Sequence, residues 1–524
     1  MENKQIPLLE MASASPEPAD AACQKSSAKP RKPRFQQIDR EQLSWRAMNV
    51  DRLIGEDHPA RAIWEFVGKL DLMGYVKDIR AVEGMAGRPP LHPQLLISIW
   101  VYAYSQGVGS ARAIERLCEH DPAYQWLTGN EVVNAHSLSD FRVEHEQELK
   151  SLFVQILGLL SGEGLITLER VTQDGTKIRA SAAPDSFRGK NRIEKALDEA
   201  RKQVTAVDQL SEEETGKRVE KARQRACRER KERLETALKQ FEKKKADGGV
   251  EDQKNPRVST TDPEARKMKQ PDGGFAPCYN VQINTDAANG LIVAVGVTQA
   301  GNDLNQLTPG IERVEQNLGE TPKEVVADGG YVSRNNIVAM ESKQVDFIAP
   351  QCDEAGKAKS NFESRGVSKN YESSQFVYDG ASNSYRCPQG KPLCCKSKDE
   401  SDSKIVFLYR ADFADCQNCI AKGECCPDNK KSGRTVQRIE ELPQVLRFRE
   451  KMQTERAKDI YRQRSKVAET PNLWIKAKFK IRQFSVRGLK KVGIESLWVC
   501  LTYNICQWVR LSWRKQNAAA IAAA

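Results

Sequence analysis

Residues Arg170 to Arg179 read RVTQDGTKIR, and residues Glu324 to Tyr331 read EVVADGGY. Both runs are β-rich, and each carries an aspartate: Asp174 within the first and Asp328 at the end of the second. Alternation in the first predicts a strand whose Asp174 side chain leaves on the face opposite its immediate neighbours. The second predicts a buried strand ending at Asp328, where Gly329 and Gly330 let the backbone turn sharply and the carboxylate project into a crevice.

Further strands are predicted outward from this pair at Tyr279 to Asn284 (YNVQIN), Leu291 to Thr298 (LIVAVGVT) and Asp346 to Ala349 (DFIA). A helical stretch, Asp303 to Leu318, lies before the Asp328 strand. Five strands in this order predict a mixed α/β sheet with helices packed on it. Asp303-x-x-Gln306 has the form of an amino-terminal capping box, and capping is the role expected of Asp303.

Two carboxylates held close repel and raise one another's pKa, so a pair such as Asp174 and Asp328 makes physical sense around divalent cations. Magnesium takes oxygen ligands and suits phosphodiester chemistry, in which two ions activate the attacking hydroxyl and stabilise the leaving oxygen. A third acid is expected from the helical region Ile460 to Lys476. Glu469 is the choice there, since Lys476 follows it by seven residues and returns close to the same helical face. Glu341, Asp346 and Glu495 are rivals that spacing alone does not eliminate.

The 524 residues carry 82 Lys and Arg against 71 Asp and Glu, a net charge of +11 that favours polyanionic partners. Between Lys476 and Lys491 the chain places Lys478, Lys480, Arg482, Arg487 and Lys490 with no acid, interleaved with Phe479 and Phe484. One-sign runs repel unless a polyanion neutralises them, so this segment is expected to face DNA. No signal peptide opens the chain, and the apolar stretch Ile494 to Trp513 is interrupted by Glu495, Asn504, Gln507 and Arg510, which excludes a membrane span. Fourteen cysteines without a secretory signal point to a reducing, cytoplasmic setting.

Helical periodicity marks Pro59 to Leu70 and Pro93 to Tyr104, with turns at Gly87-Arg88-Pro89-Pro90 and Gly107-Val108-Gly109. Three further helices are predicted at Ser110 to Glu119, Asp121 to Leu127 and Ser137 to Leu160, the last opening with Ser137-x-x-Asp140 as a capping box. They read equally as a helix-turn-helix, with Arg112, Arg116 and Arg142 as DNA contacts, or as a bundle that packs against the rest. Asn191 to Lys245 predicts a charged helical hairpin with its bend at Leu210 to Gly216, a solvated surface rather than a DNA clamp. In Gln351 to Leu446, Cys416-x-x-Cys419 has the bite for one zinc ion, which Cys387 with Cys425 or Cys426 would complete; reduced cysteines filling a small core are the alternative.

Together, the DGT run, the ADGGY run and Tyr461-x-x-Arg464…Glu469-x6-Lys476 resemble the three signature blocks of bacterial insertion-sequence DDE transposases. Ser259 to Arg266 (STTDPEAR), Tyr279-Asn280-Val281-Gln282 and Tyr385-x-Cys387-Pro388-x-Gly390 are similar to one subgroup, while Ala468-Glu469-Thr470-Pro471 departs from the commoner Val-Glu-Pro. The resemblance implies an RNase H-like catalytic core, an all-α amino-terminal domain and two insertions. It further implies that Asp174, Asp328 and Glu469 bind two magnesium ions, replaceable by manganese, and that Tyr461, Arg464 and Lys476 position the transposon end.

The reaction implied is metal-dependent cleavage at the element's ends and strand transfer into target DNA, by a homodimer or higher oligomer in a bacterial cytoplasm. A DNA-binding regulator that no longer cuts and an RNase H-like nuclease without strand transfer are the alternatives. The expected division is a disordered basic tail at 1–40, a helical domain at 41–165, and the first part of the core at 166–350 with the insert 191–245. A cysteine-rich insert at 351–450, the completion of the core at 451–515 and a tail at 516–524 follow.

Overall fold

The computed structural model describes residues 41, 47–77, 89–213, 218–247, 254–270, 272–350, 362–401, 404–428 and 431–523. The expected tail at 1–40, Gly87-Arg88 and part of the bend at Leu210 to Gly216 lie outside them. The chain divides into Met1–Met48 and Asn49–Ala524, and the architecture below belongs to the second unit.

Its first part is helical. Proline at the first turn and a histidine ring nitrogen as cap start both α1 (Pro59–Gly68) and α2 (Pro93–Ser105): His58 Nδ1 accepts from Ala60 N and His92 Nδ1 from Gln94 N, each at 3.2 Å. Next come α3 (Ala111–His120), α4 (Pro122–Thr128), α5 (Ala135–Glu144) and α6 (Glu146–Gly162). The single helix expected from Ser137 to Leu160 is therefore two. Asn134, not Ser137, is the cap, its side chain accepting from His136 N at 2.7 Å. The break at His145 lets that ring and Phe141 pack on Tyr75, at 5.2 and 5.4 Å between centroids.

The sheet is built from β1 (Arg170–Arg179), β2 (Arg266–Lys269), β3 (Phe275–Asp286), β4 (Ile292–Thr298), β5 (Glu324–Val326) and β6 (Asp346–Ile348). The short β2 is one strand more than the five expected. β3 takes β2 and β4 along one side and β1 on the other, all antiparallel, and β5 and β6 continue parallel to β1. In this register Asp174 lies opposite Ile283. β5 pairs with β1 only as far as Thr172, so the two strands part just before Asp174 and open a crevice.

Between β1 and β2 stand α7 (Lys190–Glu213) and α8 (Arg218–Asp247), the charged hairpin. After β4 come α9 (Leu307–Leu318) and, between β5 and β6, α10 (Arg334–Ser342). The cysteine-rich segment forms a separate antiparallel sheet of five strands, β7 (Val377–Asp379), β8 (Ser384–Arg386), β9 (Pro392–Ser401), β10 (Lys404–Ala411) and β11 (Thr435–Glu441), paired in sequence order. The chain then returns through α11 (Pro443–Gln453), α12 (Glu455–Leu473) and α13 (Leu489–Trp508).

Two apolar cores flank the sheet. One joins β5 and β6 to α9, α10, α11 and α12. The other joins α1 to α6, β1, β3 and β4 to α13, a helix buried on nearly every face. Among the described residues no helix is long and apolar enough to cross a membrane. Glu495 and Asn504 of α13 are buried with partners: Asn504 exchanges hydrogen bonds with the backbone of Ile292 at 2.8 and 2.7 Å, and Glu495 receives Ser485 N at 3.0 Å and faces Arg142 at 3.7 Å. Arg142 is thus a buried strut, also donating to Gly109 O at 2.9 Å, which takes it out of the DNA contacts of the helix-turn-helix alternative; Arg112 and Arg116 are exposed.

Trp508 closes the joint between α13 and the helical part, its ring 4.7 Å from Phe66 and its Nε1 donating to Glu163 at 2.9 Å. Trp508→Ala should lower the urea-unfolding free energy by about 3–5 kcal/mol, the usual range for deleting a buried aromatic; an unchanged midpoint would contradict this role.

Candidate active site

Asp174 and Asp328 meet across the crevice, joined by a residue of α12. The Arg464 guanidinium donates to Asp174 Oδ1 at 2.9 Å and lies 3.8 Å from Asp328 Oδ2. Asn472, two turns further along α12, donates to Asp174 Oδ2 at 2.8 Å. Asp328 caps the turn that follows it, accepting from Gly330 N at 2.8 Å, which is how the two glycines aim the carboxylate.

Burial pushes the Asp174 carboxyl up to about 6; Arg464 and the Gly175 N–H work against that shift, and the negative charges of Asp328 and Asp303 add to it. The Oδ1 atom of Asn472 and the Nε atom of Arg464 are buried without a hydrogen-bond partner.

Sequence reasoning assigned Arg464 to DNA, but here it occupies the space between the aspartates. Two like charges in a half-buried crevice draw in the nearest cation. Glu469, the expected third acid, is exposed and makes no hydrogen bond or ion pair with described residues. It stands about 140° around the helix from Arg464 at 100° per residue. The shared face expected of Glu469 and Lys476 is not formed. After Pro471 the helix passes into a π-turn, Trp474–Lys478, and the wider turn rotates Lys476 away from that register. Lys476 lies half-buried, where burial lowers its pKa against the pull of Asp174. Tyr461 is half-buried against the core of α10 and α11.

The rival acids are engaged elsewhere: Glu341 with Arg447, Asp346 with Lys451 at 2.5 Å and Arg456 at 3.2 Å, and Glu495 as described. Lys478, Lys480, Arg482 and Arg487 are all exposed, on or just beyond the π-turn. From Phe479 to Gly488 the chain is irregular rather than helical, with Phe479 and Phe484 buried beneath.

Asp303 is not a helix cap. α9 begins at Leu307 with Gln306 in the cap position and no side-chain cap bond. Asp303 Oδ1 instead accepts from Asn280 Nδ2 at 2.7 Å and Gln282 Nε2 at 2.6 Å, two donors that outcompete the helix N–H groups. A Cβ on Gly175 would stand 2.4 Å from that oxygen, so residue 175 must lack a side chain for Asp303 to approach. Tyr331 donates its hydroxyl to Gln282 Oε1 at 2.6 Å, and burial, with the nearby aspartates, holds its proton on. Asn472, Asp303, Gln282 and Tyr331 were not expected here. The one signal was the alternation of Asn280, Gln282 and Asn284, which places three amides on one face of the strand between apolar Tyr279, Val281 and Ile283.

In the insert, Cys387, Cys416, Cys419, Cys425 and Cys426 line one small cavity of about 30 Å³ together with Arg434. Backbone N–H groups point at two of the sulfurs: Lys391 N at Cys387 Sγ, 3.3 Å, and Arg434 N at Cys416 Sγ, 3.4 Å. Among the described residues no three Cys, His, Asp or Glu side chains are already drawn together as a metal-binding group.

The family model described as the transposase DDE domain matches residues 386–509, and the transposase domain (DUF772) matches residues 48–144. Both matched segments are transposase domains, and the chain is a DNA transposase. Neither match reaches Asp174 or Asp328, which in this transposase are brought together by its own strand geometry. Among solved structures, a piggyBac transposase in a synaptic complex with hairpin DNA is similar over 90% of this chain and 75% of that one, at 8% identity and a TM-score of 0.30. That likeness is too distant to bear on the fold or the site. No curated protein matches the transposase.

The raised Asp174 carboxyl gives a pH signature. From an ordinary value of 3.8 to about 6 in the folded chain, the folded state binds this proton more tightly than the unfolded one. Its contribution to stability is therefore gained as pH falls from about 6 to about 4 and lost as pH rises through about 6. Thermal melts of the metal-free protein across this window should lose that slope in Asp174→Asn; the same slope in both proteins would contradict the assignment.

Proposed function

We propose that the transposase cuts DNA at the ends of its element and joins the freed 3′-hydroxyl to a target strand, with divalent cations held by Asp174 and Asp328 and with Glu469 as the third acid. The observation that carries this reading is the Arg464 guanidinium lodged between the two aspartates. A crevice that draws a side-chain cation between two carboxylates suits a divalent ion. The donor chemistry fits as well: carboxylate oxygens and the orphaned, buried amide oxygen of Asn472 are hard ligands of the kind magnesium or manganese takes. When bound, such ions supply a lowered pKa for the attacking water or hydroxyl and stabilise charge on the leaving oxygen.

The chain's own part is positioning. In this reading Arg464 exchanges the aspartates for a DNA phosphate, Lys476 and Tyr461 seat the element's end, and Glu469 closes on the crevice from α12. The exposed cations Lys478, Lys480, Arg482 and Arg487 neutralise phosphates along the irregular segment. Three antiparallel strands followed by two parallel ones, in the order β4, β3, β1, β5, β6, support an RNase H-like core. Asp328→Asn and Asp174→Asn should each reduce magnesium-dependent nicking and joining of element-end DNA by roughly 10²-fold or more, with DNA binding retained in a gel-shift assay. Retained cleavage in either variant would refute the assignment.

For the insert, the proposal is one structural zinc ion held by Cys387, Cys416, Cys419 and Cys425. Four thiols line one cavity beside the buried Arg434, and two of them receive backbone N–H groups; burial pushes the Cys416 and Cys425 thiols up, so a zinc ion would have to displace their protons. Native mass spectrometry should find one zinc per chain in the wild type and none in Cys416→Ser/Cys419→Ser; a wild-type chain purified with zinc present yet carrying none would count against it.

A further inference from the structure

Asn280, Gln282 and Asn284 stand on one face of β3, each no more than 1% exposed. Buried amides cost free energy unless hydrogen-bonded, and an apolar row would fill the same space without that demand. These amides are aimed. Asn280 Nδ2 and Gln282 Nε2 converge on a single oxygen of Asp303, at 2.7 and 2.6 Å, while Gln282 Oε1 is fixed by Tyr331 and by Gln173 Nε2 at 3.3 Å. Two N–H donors on one carboxylate oxygen fix its orientation. The second oxygen of Asp303 has no hydrogen bond to described residues. A Cβ on Gly330, two residues past Asp328, would lie 2.9 Å from Asp328 Oδ1 and 4.0 Å from Asp303 Cβ, and Gly175 directly follows Asp174. Gly175 thus lets Asp303 come up against β1 on the face opposite the Asp174 side chain, and Gly330 leaves the space between Asp303 and Asp328 open.

The geometry points to Asp303 as a further cation-facing carboxylate of the DDE site, delivered from the Gly175 face of β1 and held by the buried amide row. This rests on the reading that Asp174 and Asp328 hold the cations. It gives the site an acid on the loop between β4 and α9, tied to the sheet by two amides, whereas Glu469 is carried on the helix that also bears Arg464.

The test is manganese binding by the full chain, read from the electron paramagnetic resonance of free Mn²⁺, for the wild type, Asp303→Asn and Asp174→Asn. Asp303→Asn keeps an oxygen for the two amide donors and removes only the charge. It should weaken Mn²⁺ binding by roughly tenfold or more while the near-ultraviolet circular dichroism of the protein is unchanged. Wild-type affinity in a folded Asp303→Asn protein, with binding lost in Asp174→Asn, overturns the inference and leaves the cation reading standing. Wild-type affinity in Asp174→Asn overturns the cation reading itself. Should Asp303→Asn fail to fold, the wild-type chain loaded with ferrous iron and treated with ascorbate and peroxide decides the matter: backbone cuts are expected near 174, 328 and 303, and cuts at the first two without the third overturn the inference.

Discussion

Asp174, largely buried, and Asp328, its side chain 40% exposed, face one crevice, and burial of the first carboxylate, with the neighbouring negative charges adding to it, is the electrostatic demand that the surrounding residues offset. The parting of β1 and β5 creates the crevice. α12 lies across it, so that one guanidinium and one amide side chain can reach Asp174. Proline within α12 and the π-turn after it then set the direction of Lys476. Each device answers the same electrostatic demand, which rises as the site is made drier.

The strands that bear the aspartates were legible in the sequence because their local signals agreed. β1 alternates, and the run before Asp328 is short, apolar and closed by glycines. Expectation failed where a side chain had two chemically sound destinations. Asp303 matches a capping box, but the choice between helix N–H groups and amides on β3 depends on how the loop after β4 folds back over the sheet, which local spacing does not show. Arg464 matches a DNA-contact position, but a crevice with two carboxylates within reach of its guanidinium claims it first. For Glu469 and Lys476, counting residues around an ideal helix was the wrong arithmetic, since a π-turn lay between them. Arg142 looked like a surface cation because its partner, Glu495, comes from the far end of the chain.

The second core depends on a different balance. α13 is buried almost all round, yet it carries Glu495, Asn504 and Gln507, which would oppose burial if unpaired. Glu495 and Asn504 instead fasten the helix: Asn504 to the edge of β4, and Glu495 to Arg142 and to the segment before α13. An apolar helix could slide or rotate in such a core, whereas these polar contacts fix one orientation. That orientation also fixes where the exposed cations between Phe479 and Gly488 emerge relative to the crevice.

Because Asn504 binds the backbone of Ile292 across 212 residues of sequence, order of synthesis matters. A ribosome adding about 5–20 residues per second would leave the apolar face at β4 open for roughly 10–40 s, and those of the amino-terminal helices for longer, before α13 arrives to cover them. Premature termination anywhere in the cysteine-rich insert would leave those faces open and the aspartates without Arg464 or Asn472. An incomplete product of the gene would thus keep those apolar faces open to aggregation.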